Sequence, residues 1–201
     1  HSFRRCPFAI RVRIVLAEKN LPYRCIEEDL KNFSPELKAL HPEAKVPLLI
    51  HELDGHKNVI FQSTVITEYI DEAFSSSPQL MPSTPFLRAE VRLWTYWCDA
   101  VFKPDLDAYK YKLHSLADDD AETLRARLHK HFVRWESAFL TGAQNFLVSP
   151  NLTLADIHLF PFARQFLACK PPLSGMESYS RLLDWMKHME DGPAFKKAVQ
   201  G

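Results

Sequence analysis

The first 74 residues alternate between helix-like and strand-like patterns of apolar positions. Val12, Val15 and Leu16 recur at three- and four-residue steps, which predicts a helix over residues 7–20. The pattern then predicts a short strand at 23–26, a helix at 34–41, strands at 46–51 and 58–61, and a helix at 62–73. A strand before the first helix would complete a βαβ unit followed by a hairpin and a closing helix, so the fold class predicted here is α/β.

Local signals support these boundaries. Ser34 followed by Pro35 is typical of a helix start, with a capping hydroxyl and a proline at the first helical position. Pro42 ends that helix, because the residue before a proline is pushed out of the α region. Asp54-Gly55 is a hairpin-turn signal between the two strands. Only His1 to Phe3 precede the first motif, so an opening strand would be very short or lie mostly outside the sequence.

The sequence changes character at residues 75–85, where three prolines and five Ser or Thr residues fill eleven positions. This composition predicts a linker. Beyond it every apolar pattern is helical, with helices predicted at 86–113, 118–140, 153–168, 179–189 and 193–199. The predicted organisation is an α/β domain at 1–74, a linker at 75–85 and an all-helical domain at 86–201.

Composition narrows the classes of function. The chain has 25 basic and 25 acidic residues, and this balance gives no indication of a nucleic-acid partner. No apolar run reaches the roughly 18 residues that cross a bilayer and no leading segment is typical of a signal peptide, so we expect a soluble, cytoplasmic protein with no membrane partner. The four cysteines lack CxxC spacing and are interpreted as free thiols. The histidines lack metal-ligand spacing, so no metal is expected.

Cys6 is the residue with the most distinctive chemical setting. It stands at the start of the first predicted helix, where unpaired N–H groups and about half a positive charge are located. With Arg4 and Arg5 beside it, the thiol is expected to have a larger thiolate fraction near neutral pH. The alternative is a cysteine that only packs, which is the commoner fate of free cysteines. Ala9 stands where a dithiol motif would place its second cysteine, so any disulfide of Cys6 would form with a small thiol.

Two other segments are candidates for ligand binding. Pro47 begins a predicted strand; its spacing alone favours an ordinary edge-strand proline, with a cis Val46-Pro47 bond as the alternative. Gln62 and Ser63 open the next helix, where a hydroxyl and free N–H groups can bind a carboxylate. A plain helix cap is the simpler interpretation of Ser63.

These segments occur in a familiar order. The Cys-Pro-Phe-Ala turn into a helix, Lys45-Val46-Pro47 opening a strand, Gln62-Ser63 opening a helix, the proline-rich linker and the helical remainder resemble the cytosolic glutathione transferase family. The turn is most similar to that of the cysteine-using, omega-like members. Thr153 and Asp156 have capping-box spacing and resemble the box in the family's helical domain. The resemblance spans nearly the whole chain.

The resemblance implies a thioredoxin-like first domain with a cis bond before Pro47. It also implies that glutathione, as co-substrate, lies over the start of the first helix with its sulfur at Cys6. Phe8 would flank this thiol, either lining the pocket of the second substrate or packing beside it.

The rest of glutathione would be held by four positions. The resemblance implies that the backbone of Val46 pairs with the cysteinyl unit, while Ser63 and Gln62 hold the γ-glutamyl end. It places Lys45 near the glycyl carboxylate. Many family members carry Glu where this chain has Gln62, and the lost charge weakens the expected contact with the glutathione amine.

The function implied by this resemblance is glutathione-dependent thiol transfer or deglutathionylation at Cys6, because a cysteine can link covalently to the glutathione sulfur. Conjugation of glutathione to electrophiles is a second activity, and the second substrate is expected to be a small hydrophobic molecule or a disulfide. The resemblance also implies a homodimer. The alternative is a non-catalytic binding module, similar to the stringent-starvation regulators that associate with RNA polymerase.

Overall fold

The structure is a computed structural model that describes residues 1–75, 78–140 and 145–200. The chain divides into two compact units. The first unit contains the residues up to Leu80 together with the closing segment from Asp191, and the second unit runs from Met81 to Glu190.

The first unit is α/β, as the sequence predicts. Its elements are α1 (Pro7–Glu18), α2 (Pro35–Leu40), β1 (Leu48–Leu53), β2 (His56–Phe61) and α3 (Ser63–Ala73). The predicted cap is present, because the Ser34 hydroxyl accepts a hydrogen bond from the Leu37 amide at 3.1 Å. Leu37 is fully buried, and the helix ends at His41 with an extended backbone, before Pro42.

The sheet of the first unit is the antiparallel hairpin of β1 and β2, paired from Leu48 with Phe61 to Leu53 with His56. Both turn residues have positive φ, 51° at Asp54 and 78° at Gly55, as a type I′ turn requires. The strand predicted at 23–26 does not form. Instead, Ser2 forms an isolated parallel bridge with Glu27. The Ser2 amide donates to the Ile26 carbonyl, and the Glu28 amide donates to the Ser2 carbonyl.

The last helix belongs to the first unit. Helix α9 (Pro193–Gln200) packs against α1, and the Arg13 Nε donates to the Ala198 carbonyl at 2.8 Å. Sequence periodicity predicted one helical domain over residues 86–201, because periodicity cannot show which neighbour a helix packs against. The packing of α9 places the end of the chain beside its beginning.

The start of the predicted linker is bonded to a buried ion pair of Lys19 and Asp71. Residues 76 and 77 of the linker lie outside the described part of the chain. The Lys19 ammonium is 2.9 Å from a carboxylate oxygen of Asp71 and donates to the carbonyls of Phe74 at 3.0 Å and Pro78 at 3.2 Å. The same Asp71 oxygen accepts from the Leu80 amide at 2.9 Å. The composition of the linker does not predict these bonds. They are made by backbone groups of the linker, and Lys19 is 59 residues away from Pro78.

In the described residues of the second unit every regular element is helical, as predicted. It contains α4 (Pro85–Trp97), a π-helical segment (Cys98–Phe102), α5 (Lys103–Lys112), 3₁₀ turns (Leu113–Ser115 and Met176–Ser178), α6 (Asp118–Leu140), α7 (Leu154–Leu167) and α8 (Ser180–Asp191). Aromatic side chains fill its core, with Trp135 fully buried and stacked on Phe132 at 6.4 Å between ring centres. Burying rings of this size is the main stabilising contribution in such a core.

A buried carboxylate fixes the start of α7. The Asp156 oxygens accept from the Thr153 amide at 3.0 Å and its hydroxyl at 2.8 Å, in the predicted capping box. They also accept from the Leu147 amide at 2.9 Å and from Trp185 Nε1 at 3.1 Å. Burial raises the pKa of the Asp156 carboxyl, and these hydrogen bonds oppose the shift by stabilising the carboxylate. One side chain thus connects the segment before α7 with α8.

We expect Asp156→Ala to destabilise the protein strongly, because it leaves buried donors on Thr153, Leu147 and Trp185 without an acceptor. The cost should be about 3 kcal/mol or more, since each unsatisfied buried group costs about 1–3 kcal/mol. Urea unfolding measures it. The matched control is Asp184→Ala, at an exposed position of α8, which should change stability by less than about 0.5 kcal/mol. Equal effects of the two substitutions would contradict this role of Asp156.

A second buried carboxylate lies in the first unit. Glu28 is 3% exposed and accepts from the Ser34 amide at 2.8 Å, the Ser34 hydroxyl at 2.6 Å and the His1 ring at 2.5 Å. Burial raises the pKa of Glu28, but these hydrogen bonds to Ser34 and His1 outweigh it and hold the pKa below its ordinary value of 4.5. The folded state therefore prefers the charged form of Glu28 more than the unfolded chain does.

This preference predicts a specific pH dependence of stability. Because the folded pKa of Glu28 is lowered, its contribution is present above the ordinary value of 4.5 and is lost as the pH falls through the folded pKa. Unfolding midpoints measured between about pH 3 and pH 7 should fall less steeply toward low pH in Glu28→Gln than in the wild type. Parallel curves for the two proteins would show that Glu28 is not a source of the acid sensitivity.

Candidate functional site

Cys6 is the N-cap residue of α1, and it is partly exposed. Its carbonyl accepts the first helical hydrogen bond from the Ile10 amide at 2.9 Å, but its side chain makes no capping hydrogen bond. Pro7 has no N–H group, so Phe8 and Ala9 carry the first N–H groups of the helix. The thiol therefore stands at the positive end of a twelve-residue helix without being used as its cap.

The segment before Cys6 is held by a buried arginine of α1. Arg13 is 4% exposed, and its guanidinium donates to the Ser2 hydroxyl at 2.5 Å and to the Arg4 carbonyl at 2.6 Å. A longer contact at 3.4 Å reaches the Phe3 carbonyl. The planar guanidinium suits this role, because it offers five donors in a fixed geometry. Arg13 thus fixes the chain that leads into the Cys6 turn.

A second arginine of α1 connects two of the predicted site residues. Arg11 is fully buried, and its Nη1 donates to the Ser63 hydroxyl at 3.3 Å. Its guanidinium also lies over the Phe8 ring, 5.1 Å from the ring centre. Ser63 is 5% exposed at the first position of α3, which packs on α1. The helix that begins at Cys6 and the helix that begins after Gln62 are therefore joined by a hydrogen bond.

Gln62 has an unusual backbone. It is the N-cap of α3 with φ 69° and ψ 116°, outside the range that side-chain-bearing residues ordinarily adopt. Such conformations cost about 1–3 kcal/mol and cluster at ligand clamps and active sites. Its side chain is exposed. The strained backbone at Gln62 supports its assignment to a binding site.

Lys45, Val46 and Pro47 precede β1. The Val46-Pro47 bond is cis, as the family resemblance implied and the spacing alone did not. Pro47 is buried, Val46 is partly exposed, and Lys45 is exposed and ion-paired with Glu43.

The structure connects some of the predicted site residues through buried arginines and others through the backbone at the start of β1. Contacts of Arg11 link Phe8 with Ser63, and Arg13 supports the turn at Cys6. Val46 and Pro47 reach this region through Leu48, whose amide donates to the His1 carbonyl at 3.1 Å. A cavity of about 660 Å³ beside β1 is lined by Pro47 and by none of the other predicted site residues, so it meets the predicted site only at Pro47.

Arg11 and Arg13 are the site-supporting residues that the sequence analysis missed. The sequence could have indicated them, since these two arginines interrupt the otherwise apolar run from Ile10 to Ala17. Arginine is rarely fully buried unless it is paired, so charges on a buried helix face indicate specific partners. The sequence does not show which partners those are.

Comparison with known proteins identifies the family. The model of the glutathione S-transferase N-terminal domain matches residues 5–73, and that of the C-terminal domain matches residues 115–188. Glutathione S-transferase U19 of Arabidopsis thaliana is 39% identical over 90% of this chain and 79% of the relative. Some other matches are partial: for glutathione S-transferase 3 of Glycine max the identity is 36%, and the chain spans half (50%) of that relative's length.

Solved structures agree with the fold. A Tau class glutathione S-transferase from mango, Mangifera indica, has a TM-score of 0.88 at 23% identity, over 98% of this chain and 90% of that one. A glutathione transferase family member from Pseudomonas fluorescens, solved with two glutathione molecules bound, has a TM-score of 0.84 at 19% identity, over 98% and 90%.

The chain belongs to the glutathione S-transferase family. The predicted fold class, a thioredoxin-like domain followed by an all-helical domain, is confirmed. The expectation of a transferase enzyme with glutathione as co-substrate is confirmed at the level of the family.

The omega-like assignment is not supported, because the relatives point to the Tau class. It rested on the cysteine in the turn, and one residue type does not define a class.

Within 1–75, 78–140 and 145–200, no helix combines the length and the apolar character needed to cross a membrane. In the same ranges, no group of three or more His, Cys, Asp or Glu residues is placed to hold a metal ion.

We expect Arg13→Met to loosen the chain on both sides of α1, because the carbonyls of Arg4 and Ala198 lose a buried donor. The cost should be about 2–4 kcal/mol, and amide hydrogen exchange should become faster in residues 2–6 and in α9. Arg24→Met, at an exposed position, is the matched control and should leave both regions unchanged. Unchanged exchange in Arg13→Met would contradict the proposed support of the Cys6 turn.

Proposed function

We propose that this chain is a glutathione transferase in which Cys6 carries out glutathione-dependent thiol transfer, including the removal of glutathione from disulfides. The observation that carries the proposal is the position of the Cys6 thiol, which is partly exposed at the start of α1 and not engaged in capping. Unpaired N–H groups at a helix start favour a negative charge there, and the thiolate is the nucleophile of disulfide exchange.

The reaction takes two exchange steps. The Cys6 thiolate attacks the glutathione sulfur of a mixed disulfide, forms a Cys6–glutathione disulfide and releases the substrate thiolate, which takes up a proton. A second glutathione, as thiolate, then attacks the glutathione sulfur on Cys6. This step forms oxidised glutathione and returns Cys6 as a thiolate. A hydroxyl at this position could only stabilise the glutathione thiolate by hydrogen bonding.

The proposed glutathione site follows the family pattern. The sulfur lies at Cys6 beside Phe8, the cysteinyl unit pairs with the Val46 backbone next to cis-Pro47, and Gln62 and Ser63 hold the γ-glutamyl end. Three features of the first unit support this arrangement: the Arg11 contacts to Phe8 and Ser63, the strained backbone of Gln62 and the cis bond at Pro47.

The position of Lys45 near the glycyl carboxylate stays a prediction. In this chain Lys45 is exposed and pairs with Glu43, so glutathione would have to compete with that carboxylate for the ammonium. Because both partners are exposed, the pair is weak and can be exchanged at little cost.

Conjugation of glutathione to a small hydrophobic electrophile is the second candidate activity. Its support is the similarity to glutathione S-transferase U19 of Arabidopsis thaliana and to the Tau class structure from mango. The same bound glutathione would serve both reactions, with its own sulfur acting as the nucleophile in conjugation.

The stringent-starvation-type binding module is not favoured, since the curated relatives cited above are named as glutathione S-transferases. Homodimer formation and a cytoplasmic location stay predictions.

The test is the intact mass of the protein after brief exposure to oxidised glutathione. We expect one glutathione adduct on the wild type and none on Cys6→Ser, because the attacking thiolate is lost. Cys25→Ser is the matched control, since Cys25 is an exposed cysteine of the same unit, and it should still form the adduct. Turnover of a glutathionylated peptide with reduced glutathione should be lost only in Cys6→Ser.

Two results would overturn thiol transfer at Cys6. One is an adduct that survives in Cys6→Ser, which would place the reactive thiol elsewhere. The other is no adduct on the wild type together with conjugation of glutathione to a model electrophile that Cys6→Ser retains. That second outcome would favour the conjugating activity.

A further inference from the structure

The cavity of about 660 Å³ in the first unit lies between two backbone segments, residues 23–26 and residues 48–52 of β1. Apolar side chains of α1 and α3 line it, among them Val12, Leu16 and Ile70. In the described part of the chain, β1 has a strand partner on one side only, which is β2. We call the space on the other side of β1 the strand slot.

The chain itself shows, at one end of the strand slot, which pairing the two segments accept. The His1 nitrogen donates to the Leu48 carbonyl at 2.8 Å, and the Leu48 amide donates to the His1 carbonyl at 3.1 Å. This exchange of two bonds is the pattern of an antiparallel pair. On the other side, the Ser2 amide donates to the Ile26 carbonyl and the Ser2 carbonyl accepts from the Glu28 amide, both at 2.8 Å, in the parallel pattern.

The backbone groups of β1 that face the strand slot follow from the pairing in the hairpin. Leu53 and His56 flank the two-residue turn and exchange hydrogen bonds with each other. Because bonding alternates along an antiparallel pair, Leu48, Ile50 and Glu52 direct their N–H and C=O groups away from β2. The bonds of Leu48 described above agree with this. Among the described residues, the backbone groups of Ile50 and Glu52 find no partner on this side.

These two edges specify the chemistry of an occupant. An extended main chain presents N–H and C=O groups alternately to its two sides, so it can bond to both edges at once. Backbone groups left unpaired in an apolar space cost free energy, so a molecule without such groups is a poor substitute. The four steps from residue 48 to residue 52 span about 13 Å, the length of about four extended residues. The apolar lining favours apolar side chains on these residues.

We propose that the strand slot is a peptide-binding site, which binds one extended apolar segment of another polypeptide as an added strand. The segment would lie antiparallel to β1 and parallel to residues 23–28, with its carboxyl end nearest His1. Recognition rests on main-chain hydrogen bonds to both edges, and the apolar lining selects the side chains. The site is independent of the proposed thiol transfer, because it meets the predicted glutathione site only at Pro47.

The test uses the full chain and a fluorescent peptide with the core Val-Ile-Val-Ile, acetylated, amidated and flanked by one lysine at each end for solubility. Fluorescence anisotropy should give a Kd of roughly 1–100 μM. The control peptide has the same sequence with the two valine amides N-methylated, which removes the donors to one edge and keeps the apolar side chains. It should bind at least about tenfold more weakly, because buried carbonyls of that edge lose their donors.

Two proline substitutions locate the peptide on the protein. Ile50→Pro removes a donor from the strand slot without removing a hairpin bond, so β1 should tolerate it. The peptide should then bind about tenfold more weakly. Val59→Pro is the matched control, since Val59 is the cross-strand partner of Ile50 and its N–H group faces the outer edge of β2. This variant should keep the wild-type Kd within about twofold.

Amide hydrogen exchange of the wild type keeps the test decisive if a proline variant does not fold. The peptide should slow exchange of the Ile50 and Glu52 amides at least about fivefold, because they become hydrogen-bonded. The amides of Val59 and Lys57, which are their cross-strand partners on β2, face the opposite edge and should not change.

Three results would overturn the proposal. Equal binding of the N-methylated peptide would show an apolar pocket that does not recognise a main chain. Protection of the outer amides of β2 in place of those of β1 would show strand addition at the other edge. Absence of binding up to about 1 mM peptide would show that the strand slot does not bind such a segment. None of these results bears on the glutathione adduct at Cys6, which is measured without the peptide.

Discussion

Two buried arginines of α1 are the constraint around which the first unit is arranged. A guanidinium inside a protein must keep its hydrogen-bond partners, because burying it unpaired costs several kcal/mol. Arg13 meets this requirement with the chain before Cys6 and with the Ala198 carbonyl, and Arg11 uses Ser63 and the face of Phe8. The turn at Cys6, the start of α3 and the last helix are thereby held by one twelve-residue helix.

The strained backbone of Gln62 also depends on one of these arginines. An unfavourable φ persists only where the surroundings fix the chain firmly, and here the next residue, Ser63, is buried and bonded to Arg11. Rigid placement of the groups that bind a co-substrate lowers the entropy lost on binding. The first unit combines a fixed backbone at Gln62 and Ser63, where a carboxylate is predicted to bind, with a thiol at Cys6 that stays partly exposed.

Much of the fold could be predicted because local signals and periodicity agree. Helix α6 was predicted with its observed bounds, since three aspartates open it and large apolar residues follow at helical steps. The Asp54-Gly55 turn and the Thr153–Asp156 capping box were predicted for the same reason. Each of these features is determined by residues close together in the sequence.

The remaining features depend on contacts between distant residues. The segment at 23–26 has β propensity, but a strand also needs a paired neighbour, and only the bridge between Ser2 and Glu27 forms. The residue type at position 62 does not indicate a positive φ, because glutamine does not favour that conformation. The cysteine in the turn suggested an omega-like member, whereas the relatives matched along most of the chain point to the Tau class. For the candidate site, the sequence proposed positions for ligand contact, which stay predictions, and it missed the buried arginines Arg11 and Arg13 that support them.

The return of α9 to α1 has a consequence for biosynthesis. Arg13 and Ala198 are 185 residues apart, so the ribosome adds the second partner long after the first. The helical unit from Met81 to Glu190 emerges entirely within that interval. Domains usually fold in order from the N-terminus during synthesis, but here the unit that begins first is the last to gain all its packing. A frameshift or a stop codon before Ala198 would therefore damage the unit that contains Cys6.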